Sequence, residues 1–161
     1  MGLESARAFL EARAPDVAII EQTSSTATVL EAAATLGVAP GQIAKTLSLR
    51  VADRALLVVT AGDTRLDNRK VKDLLGGRPR MLPADEAELL TGHPVGGVCP
   101  FGLATPLPIY CDGSLRRFKH VYPAAGSRVA SVRLTPDHLA TLVDAQWADL
   151  CSLPSDQSVG T

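Results

Sequence analysis

The chain predicts an α/β fold of the α+β kind, a single domain in which a mixed β-sheet is flanked by helices. Three observations predict it. Stretches with apolar residues at helical spacing interleave with shorter runs of period two. Two strand-like runs are separated only by Ala52-Asp53-Arg54, which requires an antiparallel hairpin and argues against a regular βαβ winding. At 161 residues, 46% hydrophobic and 20% charged, the chain is long enough for one domain with a substantial core. Residues 1–153 are read as that domain and 154–161 as a polar tail.

The elements follow in order. Leu3, Ala6, Phe9, Leu10 and Arg13 repeat at helical spacing, so Leu3 to Arg13 is a helix, stopped by Pro15-Asp16. Val17 to Ile20 reads as a short strand. Thr28 with Glu31 is a capping-box signature for a helix over Val29 to Leu36, closed by Gly37. Pro40-Gly41 turns the chain into Ile43–Val51, where Ile43, Lys45, Leu47, Leu49 and Val51 share one strand face. Ala55 to Thr60 is apolar throughout, the pattern of a strand buried on both faces. A helix over Leu66 to Leu75, a strand over Arg80 to Leu82 and a helix over Asp85 to Leu90 come next. Leu107 to Cys111 is a strand ending at the Asp112-Gly113 turn. Val121 to Ser127 is a strand broken by its proline and glycine, and Arg128 to Leu134 alternates as another. Thr135-Pro136-Asp137 opens a last helix reaching about Val143.

Composition narrows the function. Aromatic residues are only 4% of the chain, so Val, Leu, Ile and Ala must build the core. A net charge of −1 gives no global attraction to nucleic acid and leaves only local basic faces, such as Arg65 to Arg80 and Arg116 to Arg133, to meet a phosphate backbone. The three cysteines, Cys99, Cys111 and Cys151, are odd in number and lack a C-x-x-C pair, so neither a zinc cage nor a disulfide framework is expected. Charged residues spread through Met1 to Pro15 are unlike a signal peptide, and no uncharged run reaches the length of a membrane span. A cytoplasmic protein is the expectation.

The stretch from His93 to Gly102 concentrates the candidate chemistry. Gly96-Gly97 lets backbone approach a ligand closely, and Pro94 and Pro100 stiffen the loop, so its N–H groups suit a carbonyl or ester oxygen; a tight turn with close strand packing explains the same residues. Lys45 stands where its strand face calls for an apolar residue. It either snorkels at a strand end or supplies a cation at a pocket mouth. Asp112 is a turn aspartate or a carboxylate facing a substrate, and Ser127 a turn residue or a pocket hydroxyl. His93 with Cys99 is the pattern of a thiol nucleophile and its base, but no orienting carboxylate accompanies it.

Taken together, Ile43-Ala44-Lys45-Thr46, then Gly96-Gly97-Val98-Cys99-Pro100, then Asp112, then Tyr122 to Arg128 resemble the YbaK/EbsC family. This is the aminoacyl-tRNA deacylase superfamily that includes the editing domain of bacterial prolyl-tRNA synthetases. The resemblance spans about residues 20–150 and implies a single domain with a mixed, barrel-like sheet. It implies hydrolysis, without metal or cofactor, of the ester joining a wrong amino acid to the terminal adenosine of a tRNA. A water would attack, assisted in some members by the tRNA's own ribose hydroxyl. Lys45 matches the family's essential lysine, which meets the phosphate or ribose end of the substrate. Gly96 and Pro100 match its G-x-x-x-P loop, whose backbone holds the aminoacyl carbonyl, and Asp112 matches a carboxylate near the amino-acid pocket. Cys99 stands where many relatives carry serine or another small residue, which leaves the edited amino acid open.

The expected function is thus a free-standing trans-editing deacylase acting on Ala, Ser, Thr or Cys carried by tRNA, tRNA(Pro) above all. A non-catalytic module that binds aminoacyl-tRNA or a nucleotide is the alternative. Lys45, Gly96, Gly97 and Pro100 are the expected catalytic residues; Thr46, His93, Val98, Cys99, Asp112 and Ser127 are the expected substrate-binding ones. The expected partners are aminoacyl-tRNA and a synthetase, the protein itself being a monomer or weak homodimer.

Overall fold

The computed structural model describes residues 2–153; the polar tail expected at 154–161 lies outside them. Helices α1 (Leu3–Arg13), α2 (Val29–Leu36), α3 (Asn68–Leu75), α4 (Ala84–Thr91) and α5 (Pro136–Leu142) surround a central sheet. Its longest strands are β2 (Ile43–Val51) and β3 (Arg54–Ala61), after a short β1 (Ile19–Glu21). The remaining strands are β4 (Arg65–Leu66), β5 (Arg80–Met81), β6 (Ile109–Asp112), β7 (Tyr122–Pro123), β8 (Ala130–Val132), β9 (Gln146–Ala148) and β10 (Cys151–Ser152).

The caps explain where the helices start. Thr28 accepts from the Glu31 amide at 3.1 Å while Glu31 accepts from the Thr28 amide at 3.2 Å, the reciprocal pair that the sequence signature predicts. Asp67 accepts from the amides of Arg69 and Lys70, each at 3.1 Å. It therefore caps α3 rather than lying within it, and the segment before it, Arg65–Leu66, pairs as a strand with β10. Thr135 accepts from the His138 amide ahead of α5, with Pro136 in the first turn.

The sheet runs β5-β2-β3-β6-β9, with β7 also pairing β2. β2 and β3 are antiparallel from Ala44↔Ala61 to Val51↔Arg54, whereas β6 joins β3 and β9 joins β6 in parallel. The sheet is open: among the described residues β5 and β9 end the order unpaired with each other, so the barrel-like closure expected from the family resemblance is not formed. The pairs β1–β8 and β10–β4 stand apart as two-stranded ladders. Strands expected over Val121 to Ser127 and Arg128 to Leu134 shrink to Tyr122–Pro123 and Ala130–Val132, because the chain between them turns around Gly126 at φ +88°.

Both faces of the β2–β3 hairpin are covered. Ala44, Leu57, Val59 and Ala61 pack with Ala6 and Leu10 of α1 and with Phe101 in the larger core. Leu49, Val51, Leu56 and Val58 pack with Val71 of α3 and with Leu150 in a second core. This double burial is why β3 reads as an unbroken apolar run. No helix among the described residues is long and apolar enough to cross a membrane.

One edge of β2 is interrupted. β7 pairs with Ile43 and Ala44, β5 pairs with Leu49 and Arg50, and the Leu82 amide donates to Ser48 O at 2.9 Å. Residues 45–47 between these contacts have no strand on that side. Backbone groups alternate along a strand, so Thr46, two residues from Ser48, presents its N–H and C=O to the gap.

The hairpin closes through Ala52 at φ +49° and Asp53 at φ +65°, the left-handed pair of a two-residue turn that favours glycine at its second position. Asp53→Gly is expected to raise stability by about 0.5–1 kcal/mol through relief of the left-handed conformation. Urea unfolding reads this directly, and an unchanged or lower midpoint would contradict it.

Candidate functional site

A cavity of about 320 Å³ opens over the gap in β2. Because it straddles the strand edge, both alternation sets of β2 reach it: Ile43 and Lys45 from one, Ala44, Thr46 and Ser48 from the other. α2 and the segment before it contribute Thr26 to Val29 and Ala32, and the loop after α4 contributes Val95, Gly96 and Val98. Tyr122, Ala124 and Ser131 complete the wall opposite. Its described lining holds no His, Cys, Asp or Glu, and Lys45 is its one charged residue.

Lys45 is half-buried, and its Nζ donates to Thr64 O at 2.6 Å. Burial pulls its pKa below the ordinary lysine value, against the opposing pull of Cys151 and Asp63. An ammonium has three N–H donors, so two remain for a ligand.

The glycine loop is built by backbone contact. Gly97 N donates to Pro94 O at 2.9 Å, closing a β-turn with Gly96 at its third position, where φ is +87°. A Cβ on Gly97 would stand 2.6 Å from Ser127 N, so only glycine lets the loop lie against the segment 126–128. Gly126 N donates to Gly97 O at 3.1 Å, and Arg128 Nε to Val95 O at 2.9 Å, locking the two segments together. The turn takes up the Gly97 amide, while the amides of Gly96 and Val98 bond to no described residue. The loop is a packed turn, and its residues Val95, Gly96 and Val98 also line the cavity.

The structure brings Lys45, Thr46, Gly96 and Val98 to the cavity and leaves the other expected residues behind it. Gly97 and Pro100 are buried in the loop's support, and Ser127 accepts from the Val129 amide at 3.3 Å. His93 and Cys99 are fully buried. His93 Nε2 donates to Phe101 O at 2.7 Å, and Cys99 Sγ lies 3.5 Å from the same ring nitrogen. Burial pushes the Cys99 thiol up to about 12 and lowers the His93 pKa, so at neutral pH the pair is a protonated thiol and a neutral imidazole. The thiol-nucleophile pattern seen in the sequence is a packing contact.

Asp112 is not among the residues that line this cavity. At 2% exposure its Oδ1 accepts from the amides of Leu150 at 2.7 Å and Cys151 at 3.0 Å, and its Oδ2 from Ser114 N at 3.0 Å. It clamps the end of β6 to the approach of β10. The basic stretches are partly neutralised in space: Arg117 pairs with Asp63, Arg116 with Asp137 and Lys70 with Asp149. Among the described residues no group of three His, Cys, Asp or Glu is arranged to hold a metal ion. Sequence pattern does not single out Ser48 or Ser131. The only signal for Ser48 is the small, polar run Ala44, Thr46, Ser48 on the face of β2 that does not carry Lys45.

Comparison with known proteins identifies the family and relatives of this chain. The family model of the aminoacyl-tRNA editing domain matches residues 23–142. The uncharacterized protein YwhH of Bacillus subtilis is 42% identical over 153 residues, covering 94% of this chain and 98% of YwhH. EbsC of Enterococcus faecalis, which carries the assignment Cys-tRNA(Pro)/Cys-tRNA(Cys) deacylase, is 28% identical over 121 residues, 73% of each chain. The crystal structure of a protein assigned as a trans-editing enzyme for prolyl-tRNA synthetase superposes with a TM-score of 0.86 at 38% identity, covering 93% of this chain and 96% of that one.

Two outcomes test the site's architecture. Asp112→Ala strands three buried amides and is expected to lower stability by roughly 3 kcal/mol or more; a loss under about 1 kcal/mol in urea titration would refute the clamp. Cys99 is expected to stay unmodified by iodoacetamide in the native protein at pH 7.5 and to react once urea unfolds it, read by intact-mass spectrometry. Rapid native labelling at Cys99 would overturn its assignment as an inert core thiol.

Proposed function

Because the chain belongs to the aminoacyl-tRNA editing domain family, we propose that it is a free-standing deacylase of mischarged tRNA. It hydrolyses the ester between a small amino acid (alanine, serine, threonine or cysteine) and the terminal ribose, with tRNA(Pro) as the preferred carrier. The observation that carries this reading is the cavity itself, lined by Lys45, Gly96 and Val98 and, among its described residues, by no acidic, thiol or imidazole side chain.

The chemistry follows from that inventory. A water oxygen adds to the ester carbonyl carbon, and the charge that develops on the carbonyl oxygen is met by the Gly96 and Val98 amides. The bond from that carbon to the ribose oxygen then breaks, and the ribose oxygen leaves with a proton originating from the water. With no side-chain base in the described wall, the neighbouring ribose hydroxyl of the tRNA is the group that relays this proton. Lys45, held at 2.6 Å to Thr64 O, directs its remaining N–H donors to the phosphate or ribose end of the substrate. Alignment over nearly the whole length of both YwhH and the trans-editing homologue supports action in trans.

The test is a deacylation panel: tRNA(Pro) charged with Ala, Cys, Ser or Thr, together with cognate Ala-, Ser- and Thr-tRNA, each in the presence of EDTA. Release from one or two of these is expected, and Lys45→Ala is expected to lower it by about 10²–10³-fold, the scale of losing one preorganised charge-stabilising donor. A folded Lys45→Ala protein with unchanged turnover would remove the lysine from the mechanism. Saturable binding of charged tRNA with no release from any member would replace the enzyme with a binding module.

A further inference from the structure

Buried hydroxyls away from the cavity are paired. Thr60 Oγ1 lies 2.8 Å from Thr64 Oγ1 and 3.1 Å from Ser114 Oγ, and Thr91 donates to Ala87 O at 2.7 Å. Three hydroxyls of the cavity wall break this rule. Thr46 Oγ1 is buried with no hydrogen-bond partner. Ser48 and Ser131 are 6% and 2% exposed, both line the cavity, and neither hydroxyl bonds to any described residue. By contrast, Thr26 and Thr28 in the same wall are engaged, with Arg128 O and with the Glu31 amide.

The three sit together at the closed side of the site. Thr46 and Ser48 are two residues apart on one face of β2, about 7 Å along the strand. Ser131, on β8, lines the same cavity. The burial of Ser48 and Ser131 separates them from the rim, where Met81 and Val95 are 60% and 49% exposed and where the bulk of a tRNA must stay. The ester end of a substrate is served by Lys45 and by the amides of Gly96 and Val98. What remains for the hydroxyl floor is the amino-acid side chain.

We infer that Ser48 and Ser131, beside the closed-in hydroxyl of Thr46, select an aminoacyl group carrying a side-chain hydroxyl, the serine or threonine class, over an apolar one of equal size. This deepens the deacylase reading and rests on it. A hydroxyl both donates and accepts, so one substrate hydroxyl can satisfy two of these groups. An apolar side chain in the same place leaves them unbonded, and sites built to bond a substrate hydroxyl discriminate strongly against analogues that lack it.

The experiment compares tRNA(Pro) carrying serine with tRNA(Pro) carrying 2-aminobutyrate, which has the same shape with a methyl in place of the hydroxyl, each corrected for spontaneous hydrolysis. The wild-type protein is expected to favour the seryl ester by about tenfold or more in kcat/KM. In Ser48→Ala/Ser131→Ala, checked for folding by its melting curve, that ratio is expected to fall towards one. Equal turnover of the two esters by the wild type would overturn the inference and leave the deacylase standing. So would a folded double variant in which the ratio is intact. Release from no charged tRNA at all would overturn the deacylase reading and this inference with it. The wild-type comparison decides the matter even if the double variant does not fold.

Discussion

The site depends on one backbone-to-backbone contact, the loop 94–98 laid against the segment 126–128. A single Cβ on Gly97 would drive into Ser127 N, and one on Gly126 would come within 2.4 Å of Gly2 O, where the start of α1 closes the other side. Stacking main chain on main chain at this distance leaves no side chain to rearrange, so the loop is held by geometry and by the bonds Gly126 N to Gly97 O and Arg128 Nε to Val95 O. For the proposed reaction the rigidity matters because a donor set can stabilise developing charge only if it is already aimed when the charge appears. Phe101, His93 and Cys99, all fully buried just beyond, serve as the packing against which that loop is braced.

A second constraint comes from electrostatics. The described cavity wall carries one ammonium and no carboxylate, on a chain whose net charge is −1. The local sign of the site is therefore opposite to that of the molecule, which suits an anionic nucleic-acid end at the site without drawing nucleic acid to the surface at large. Ion pairing of Arg116, Arg117 and Lys70 with acidic neighbours further confines that attraction. Lys45 itself stays serviceable because Thr64 O gives the half-buried ammonium a partner without neutralising it.

How much of this was legible in the sequence depends on whether a feature is written locally. The caps at Thr28 and Thr135, the period-two run of β2 and the charge of Lys45 inside it are local, and each was readable. So was the family, because its motifs recur in order. Asp67 shows the limit: the helix was readable, but the residue marks its boundary rather than its interior. β9 and β10 were not read because they exist through partners far away in the chain, Gln146–Ala148 on Tyr110–Asp112 and Cys151–Ser152 on Arg65–Leu66. The bonds of Asp112 were unreadable for the same reason, reaching 38 and 39 residues forward to Leu150 and Cys151. Ser48 and Ser131 look like any strand serine until folding shows that nothing bonds them.

The interrupted edge of β2 also bears on edge-to-edge strand pairing. An exposed strand edge is normally a template for another chain, and proteins blunt such edges to stay monodisperse. Here the unpaired stretch is only three residues, 45–47, fenced by β7 at one end and β5 at the other. That is too short for a foreign strand to dock in register, yet wide enough for a group the size of an amino acid. The same main-chain polarity that would make a longer edge sticky is thereby made available to small ligands alone.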